Sequence, residues 1–319
     1  MLLSGDITAY DVNTGFSAVV DTIEKYPSLK TLLTTGNHDV YGASRDVQSD
    51  LNKLDELYSK IYARNYAVTE TVNSQKSTWY YSDNSQHKLR VIGLDNYERL
   101  GAGSGKAQVH YNQSQINFLL NALKTLEEGW TCLVVYHSPE TPLVEAIDTD
   151  GSFYNREFGY TAVSTTDYTG KVISDIIDAF IGRGKLNKKY NQANTYNTDG
   201  KTFKDYIEVN VDFSNCKGDF AAHITGHFHN DSVCYMPTTK YKQLVLNQTC
   251  TTANKGSAGG YPYLSDLSDL PRDKATVTQD SFNTYIIDTD TKNIKIVRVG
   301  SDITFDMEQR KYTTISYAN

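Results

Sequence analysis

The chain has 319 residues, 39% of them hydrophobic, at a mean hydropathy of −0.50. That suffices for a sizeable core, in one large α/β domain or two small ones. A net charge of −7 and a pI of about 5.5 supply no general basic field for nucleic acid, and no apolar run is long enough to span a membrane.

The apolar run at 2–4 breaks off at Gly5-Asp6, and Phe16, Val19, Val20 and Ile23 then mark one face of a helix over about 14–26. A strand at 31–35 ends in Gly-Asn-His-Asp, residues 36–39. A longer helix over 45–62 follows, with Val47, Leu51, Leu54, Leu57, Tyr58 and Ile61 as its stripe. Residues 78–82 and 88–95 read as a hairpin ending in Gly93-Leu94-Asp95; a helix over 114–126 leads to an apolar strand that stops at His137. The polar, glycine-punctuated stretch 139–170 reads as a loop over a cleft, and 171–181 as a helix. From 182 to 202 the chain is rich in Asn, Lys, Tyr and Gly without periodicity, the pattern of a mobile excursion or lid. Strands resume near 206–213, 220–226 and 242–249; 251–276 is loop-like, and a C-terminal hairpin spans 282–299. With no internal repeat and no clean linker, residues 1–319 form one domain, a sheet wrapped by helices.

Four of these strands end in donor atoms: LLS-GD, TLLTT-GNHD, CLVVY-HSPE and AAHIT-GHFHND. Strand ends of an open α/β sheet are where ligands bind, so Asp6, Asn37, His38, His137, His227 and His229 together describe a site. Singly they are weaker. Gly-Asp and Gly-Asn-His-Asp also suit plain turns, and a lone histidine at a strand end is commonly a satisfied core residue. His227 and His229 flank Phe228, and in an extended segment both rings fall on one side, as a pincer for metal.

Other features read blandly. Gly101 to Gly105 lacks the Lys-Ser/Thr and helix start of a phosphate loop. His87 and His110 sit in polar segments, and His223 lies inside a strand as a buried, hydrogen-bonded residue. Asp95 reads as a strand-terminal turn, and Lys185, Lys188 and Lys189 as a solvated loop. Cys132, Cys216, Cys234 and Cys250 show no paired spacing, which argues against a disulfide scaffold and slightly favours a reducing, cytoplasmic interior, with an export signal in a missing N-terminus as the alternative. The sequons at Asn112, Asn230 and Asn247 read as chance.

Taken in order, Gly-Asp, Gly-Asn-His-Asp, a lone His and Gly-His-x-His resemble the calcineurin-like metallophosphoesterases over residues 5–229. The resemblance implies a four-layer α/β/β/α sandwich of two mixed sheets. It also implies hydrolysis of phosphomonoesters or phosphodiesters by a metal-bound hydroxide. One ion would be held by Asp6, Asn37, His137 and His227. A second would share Asp6 and take His229, with His38 as general acid and Asp39 orienting it. The mixed N/O donors suit Mn²⁺, Fe or Zn²⁺, and the expected partner is a small phosphorylated substrate, with nucleic acid disfavoured but kept open.

The family's opening Asp-x-His has no counterpart upstream of Gly5. The fold's first strand is thus expected to be missing and the second ion to keep two of its four protein ligands. Either the start is truncated, which the loss of a mid-sheet strand favours, or the short chain is natural with a crippled first site. In both cases the expectation is one ion held better than two. The alternative function is a metal-poor relative that binds phosphorylated ligands or serves in assembly.

Overall fold

The computed structural model describes residues 1–7, 12–36, 39, 71–72, 79–96, 111–139, 145–147, 153–155, 171–191, 206–227, 232–236, 239–247, 281–300 and 312–318. The helix expected at 45–62 lies outside them.

The first strands are β1 (Leu2–Ser4), β2 (Leu32–Thr34), β3 (Thr71–Val72), β4 (Tyr80–Asn84), β5 (Leu89–Gly93), β6 (Thr131–Val135), β7 (Glu145–Ile147) and β8 (Phe153–Asn155). They continue with β9 (Lys185–Asn191), β10 (Tyr206–Asp212), β11 (Asp219–Thr225), β12 (Ser232–Tyr235), β13 (Leu244–Asn247), β14 (Ser281–Asp288), β15 (Asn293–Gly300) and β16 (Tyr312–Ser316). Three helices are described: α1 (Val12–Glu24), α2 (Gln113–Lys124) and α3 (Val172–Ile181).

A nine-stranded mixed sheet in the order β3-β4-β5-β6-β11-β13-β12-β7-β8 forms the backbone of the fold. Its centre, β5, β6, β11 and β13, is parallel, so their carboxyl ends share one edge. Every residue of β6 is buried, as a parallel strand covered on both faces requires. The short pair β1–β2 is also parallel, and it delivers Gly5-Asp6 and Gly36 from the ends of its two strands.

Each face of the large sheet carries a core. On one, Ile92, Val134, Tyr136 and Phe220 pack with Ile116, Leu119 and Leu123 of α2, with Ile173, Ile176, Ile177 and Phe180 of α3, and with Ile207, Val209 and Val211 of β10. On the other, Leu133, Val135, Ile224, Leu244 and Leu246 meet Ile294 and Ile296 of β15, and Tyr317. The register slips between Phe220 and Ala222. This slip brings Phe220 and His223 together on the helical side, with ring centroids 4.8 Å apart.

Helix α2 begins where Asn112, in extended backbone, accepts a hydrogen bond from Gln115 N at 2.6 Å, a side-chain cap for an otherwise orphaned donor. One expected sequon is therefore a helix cap. A second, Asn247, is buried and its Oδ1 accepts from Thr225 Oγ1 at 2.9 Å; Asn230 lies outside the described residues.

Three expectations need correction. The excursion expected at 182–202 opens instead with a strand: β9 pairs antiparallel with β10 from Lys185↔Asp212 to Asn191↔Tyr206. Alternation there is real but disguised, because Lys188 lies between half-buried Leu186 and buried Tyr190 and extends over the Tyr190 ring at 4.6 Å. The stretch 139–170 contains β7 and β8, which extend the large sheet. The C-terminal hairpin gains a third strand, β16, and this sheet is antiparallel throughout, not mixed. Among the described residues no helix lies against the outer face of β14–β16, where Phe282 and Ile286 are 48% and 53% exposed.

Candidate metal centre

Asp6 leaves β1 through a turn that only glycine permits at position 5. Gly5 has φ +91°, and a Cβ there would sit 2.6 Å from His137 Nδ1 and 2.7 Å from Gly36 N. Gly36, at the end of β2, is equally constrained, since a side chain would overlap the backbone N and Oδ1 of Asp6. The glycines of the two first motifs thus exist because three backbone segments crowd around one carboxylate.

His137 follows β6 and is buried. Its backbone carbonyl accepts from Gly226 N at 2.8 Å, tying it to the end of β11. Its Nδ1 donates to the Ser4 carbonyl at 2.7 Å, which fixes the tautomer and leaves Nε2 as the lone-pair atom. That atom lies 3.1 Å from Asp6 Oδ2. A lone pair facing a carboxylate oxygen calls for a cation or a proton between them. Burial opposes charge on the ring, but the Asp6 carboxylate, the hydrogen bonds to Asp6 and Ser4, and the nearby Asp39 together raise the His137 pKa.

His227 completes the cluster from the end of β11. Its ring stands edge-on to His137, with centroids 5.2 Å apart. The donor atoms of Asp6, His137 and His227 all lie within 4.8 Å of one another, so that small side-chain adjustments would bring all three onto one divalent cation, whose bonds of about 2.0–2.2 Å keep donors within about 4.4 Å of each other. Two of the three donors occupy left-handed backbone, Asp6 at φ 51° and His227 at φ 72°. Such conformations cost about 1–3 kcal/mol for a non-glycine residue, and they gather at ligand sites.

Of the residues expected at the site, Asp6, His137 and His227 come together. Asn37, His38 and His229 lie outside the described residues. Asp39 is fully buried, and its Oδ2 accepts from Gly36 N at 2.9 Å. His223 is the buried, hydrogen-bonded residue its sequence context suggested. Nδ1 sits 3.1 Å from Tyr136 Oη and Nε2 3.0 Å from Gln243 Oε1. Burial, against the weaker effect of Gln243, pushes its pKa down to about 4. His87 is exposed in the β4–β5 turn. Cys132 and Cys216 are free thiols, Cys132 buried and Cys216 half-buried. Asp95 is buried rather than displayed at a turn. Sequence reasoning missed the Ser4 carbonyl that orients His137, an interaction of main chain that leaves no residue-type signature.

No protein-family model and no curated protein matches the chain. Among solved structures, the crystal structure of a dimetal phosphatase from Danio rerio aligns over 99% of this chain and 83% of its own, with a TM-score of 0.54 and 12% identity. At that identity the likeness establishes the fold, a mixed α/β architecture shared with a dimetal phosphatase. No helix among the described residues is long and apolar enough to cross a membrane.

Proposed function

We propose that this chain is a divalent-metal-dependent phosphoesterase acting on small phosphomonoesters or phosphodiesters. The observation that carries the reading is the convergence of Asp6, His137 and His227 at the carboxyl edge of the sheet. The likeness of the fold to a dimetal phosphatase supports it. The donor set, one carboxylate and two imidazoles, that of His137 with a fixed tautomer, fits Mn²⁺, Fe or Zn²⁺.

In this reading Asp6, His137 and His227 hold one ion, Asn37 and His229 add donors, and the complete architecture is the four-layer sandwich. Bound divalent ions supply Lewis acidity toward phosphoryl oxygens and make water more acidic. The remaining work belongs to the chain. Asp6 balances the ionic charge, and Ser4 keeps the His137 lone pair aimed at the cation. Asp39, anchored by Gly36 N, has the role of orienting His38, and His38 that of giving its proton to the leaving oxygen.

The test is metal content per chain, followed by hydrolysis of p-nitrophenyl phosphate and bis(p-nitrophenyl) phosphate with added Mn²⁺. His137→Ala should abolish metal uptake and lower turnover by more than the ~10–100-fold typical of residues that merely support a ligand. Turnover unaffected by His137→Ala would defeat the assignment. Stoichiometric metal without turnover of either ester would favour a phospho-ligand-binding relative.

A further inference from the structure

The last ladder pair between β5 and β6 is Gly93↔Val135, with one more bond from Leu94 N to Val135 O at 2.8 Å. Beyond it the two backbones part, and two primary amides take over. The Gln115 side chain of α2 accepts from Asp95 N at 2.7 Å and donates to Asp95 O at 2.9 Å. The Asn96 side chain donates to Ser138 O at 2.6 Å and accepts from Ser138 N at 3.4 Å. An amide group offers both a donor and an acceptor, so each side chain pairs with a whole residue as another strand would. Asn96 and Gln115 are both fully buried, where a lost partner costs most.

The extension ends beside one residue of the centre. His137 is held at its carbonyl by Gly226, at its ring by Ser4, and at the next residue by Asn96. Helix α2, through Gln115, holds the loop that carries Asn96. We propose that Asn96 and Gln115 are positioning residues that fix His137 for cation binding. The proposal rests on the metal-site reading above.

Cobalt(II) is the probe, because its visible spectrum reports ligand geometry directly. Asn96→Leu and Gln115→Met keep approximate volume and remove both hydrogen bonds. Arg90→Met is the control: it breaks a buried network, to Asp83 at 2.7 Å and to Ala122 O at 2.7 Å, away from the centre. Both amide variants should bind Co²⁺ about 10–100-fold more weakly, with a shifted spectrum. Arg90→Met should lower the urea midpoint yet keep the wild-type dissociation constant and spectrum. Folded Asn96→Leu and Gln115→Met with wild-type affinity and spectrum would overturn the proposal, as would an equal loss in Arg90→Met. If Asn96→Leu does not fold, Gln115→Met decides. If neither folds, the amides serve the fold alone and the idea is wrong. Wild-type protein that takes up no cobalt defeats the metal-site reading itself, whereas binding that the amide changes leave untouched defeats only this inference.

Discussion

His223 converts its surroundings into a measurable dependence of stability on pH. It is fully buried, and Gln243 meets it with a carbonyl oxygen because the amide nitrogen is committed to Ser174 O and Asp178 Oδ1, each at 2.9 Å. Burial, outweighing the Gln243 acceptor, keeps the imidazole neutral in the fold, with a pKa near 4 against 6.5 for an ordinary histidine. The folded pKa is the lower one, so the unfolded chain takes up the proton first as pH falls. Stability from this group is complete above about pH 6.5 and is lost progressively toward about pH 4. At about 1.36 kcal/mol per pKa unit, the loss amounts to roughly 3 kcal/mol. Urea unfolding at intervals from about pH 7.5 to 4, on wild type and His223→Gln, isolates the effect, since carboxylate contributions are common to both curves. The wild-type curve should be steeper by nearly one proton in that window. Parallel curves would show that His223 either titrates normally in the fold or opens to water.

Other consequences are simpler to measure. Gly36→Ala should displace Asp6, through overlap with its N and Oδ1, and lower Co²⁺ affinity at least ~10-fold in protein that still folds; unchanged affinity would contradict the packing described. Ile294→Ala empties a fully buried position between the two sheets and should cost about 2–5 kcal/mol by urea unfolding, with the cobalt spectrum intact. Asn112→Ala removes the α2 cap and should cost about 1 kcal/mol, while Asn112→Ser should recover most of it.

The parts of this fold that were legible in the sequence are those in which a local pattern coincides with its burial. β6 and β11 are rich in apolar residues and buried along almost their whole length because both their faces are covered, and the histidines beyond them announce the edge of the sheet. The helices expected at 114–126 and 171–181 form as α2 and α3, and their apolar residues enter the core. β9 was illegible because Lys185, Lys188 and Lys189 have little strand preference of their own, and pairing with β10 decides their conformation. β16, by contrast, carries strand-favouring Tyr312, Thr313, Thr314 and Ile315 and pairs with β15. At the centre, residue types betrayed Asp6, His137 and His227, but Asn96 and Gln115 were invisible. Their role lies in which backbone they meet, a property of tertiary geometry alone.

The three converging donors enter the chain far apart: Asp6 near the start, His137 midway and His227 well past it. A ribosome emitting this polypeptide would expose the carboxylate long before the second imidazole emerged. If the site holds an ion as proposed, its three donors are together only after His227 has been made, and the ion would fasten three distant segments with a single clasp. Removing the ion with a chelator should therefore loosen all three segments together, a pattern that hydrogen exchange can read at Leu3, Val135 and Ile224.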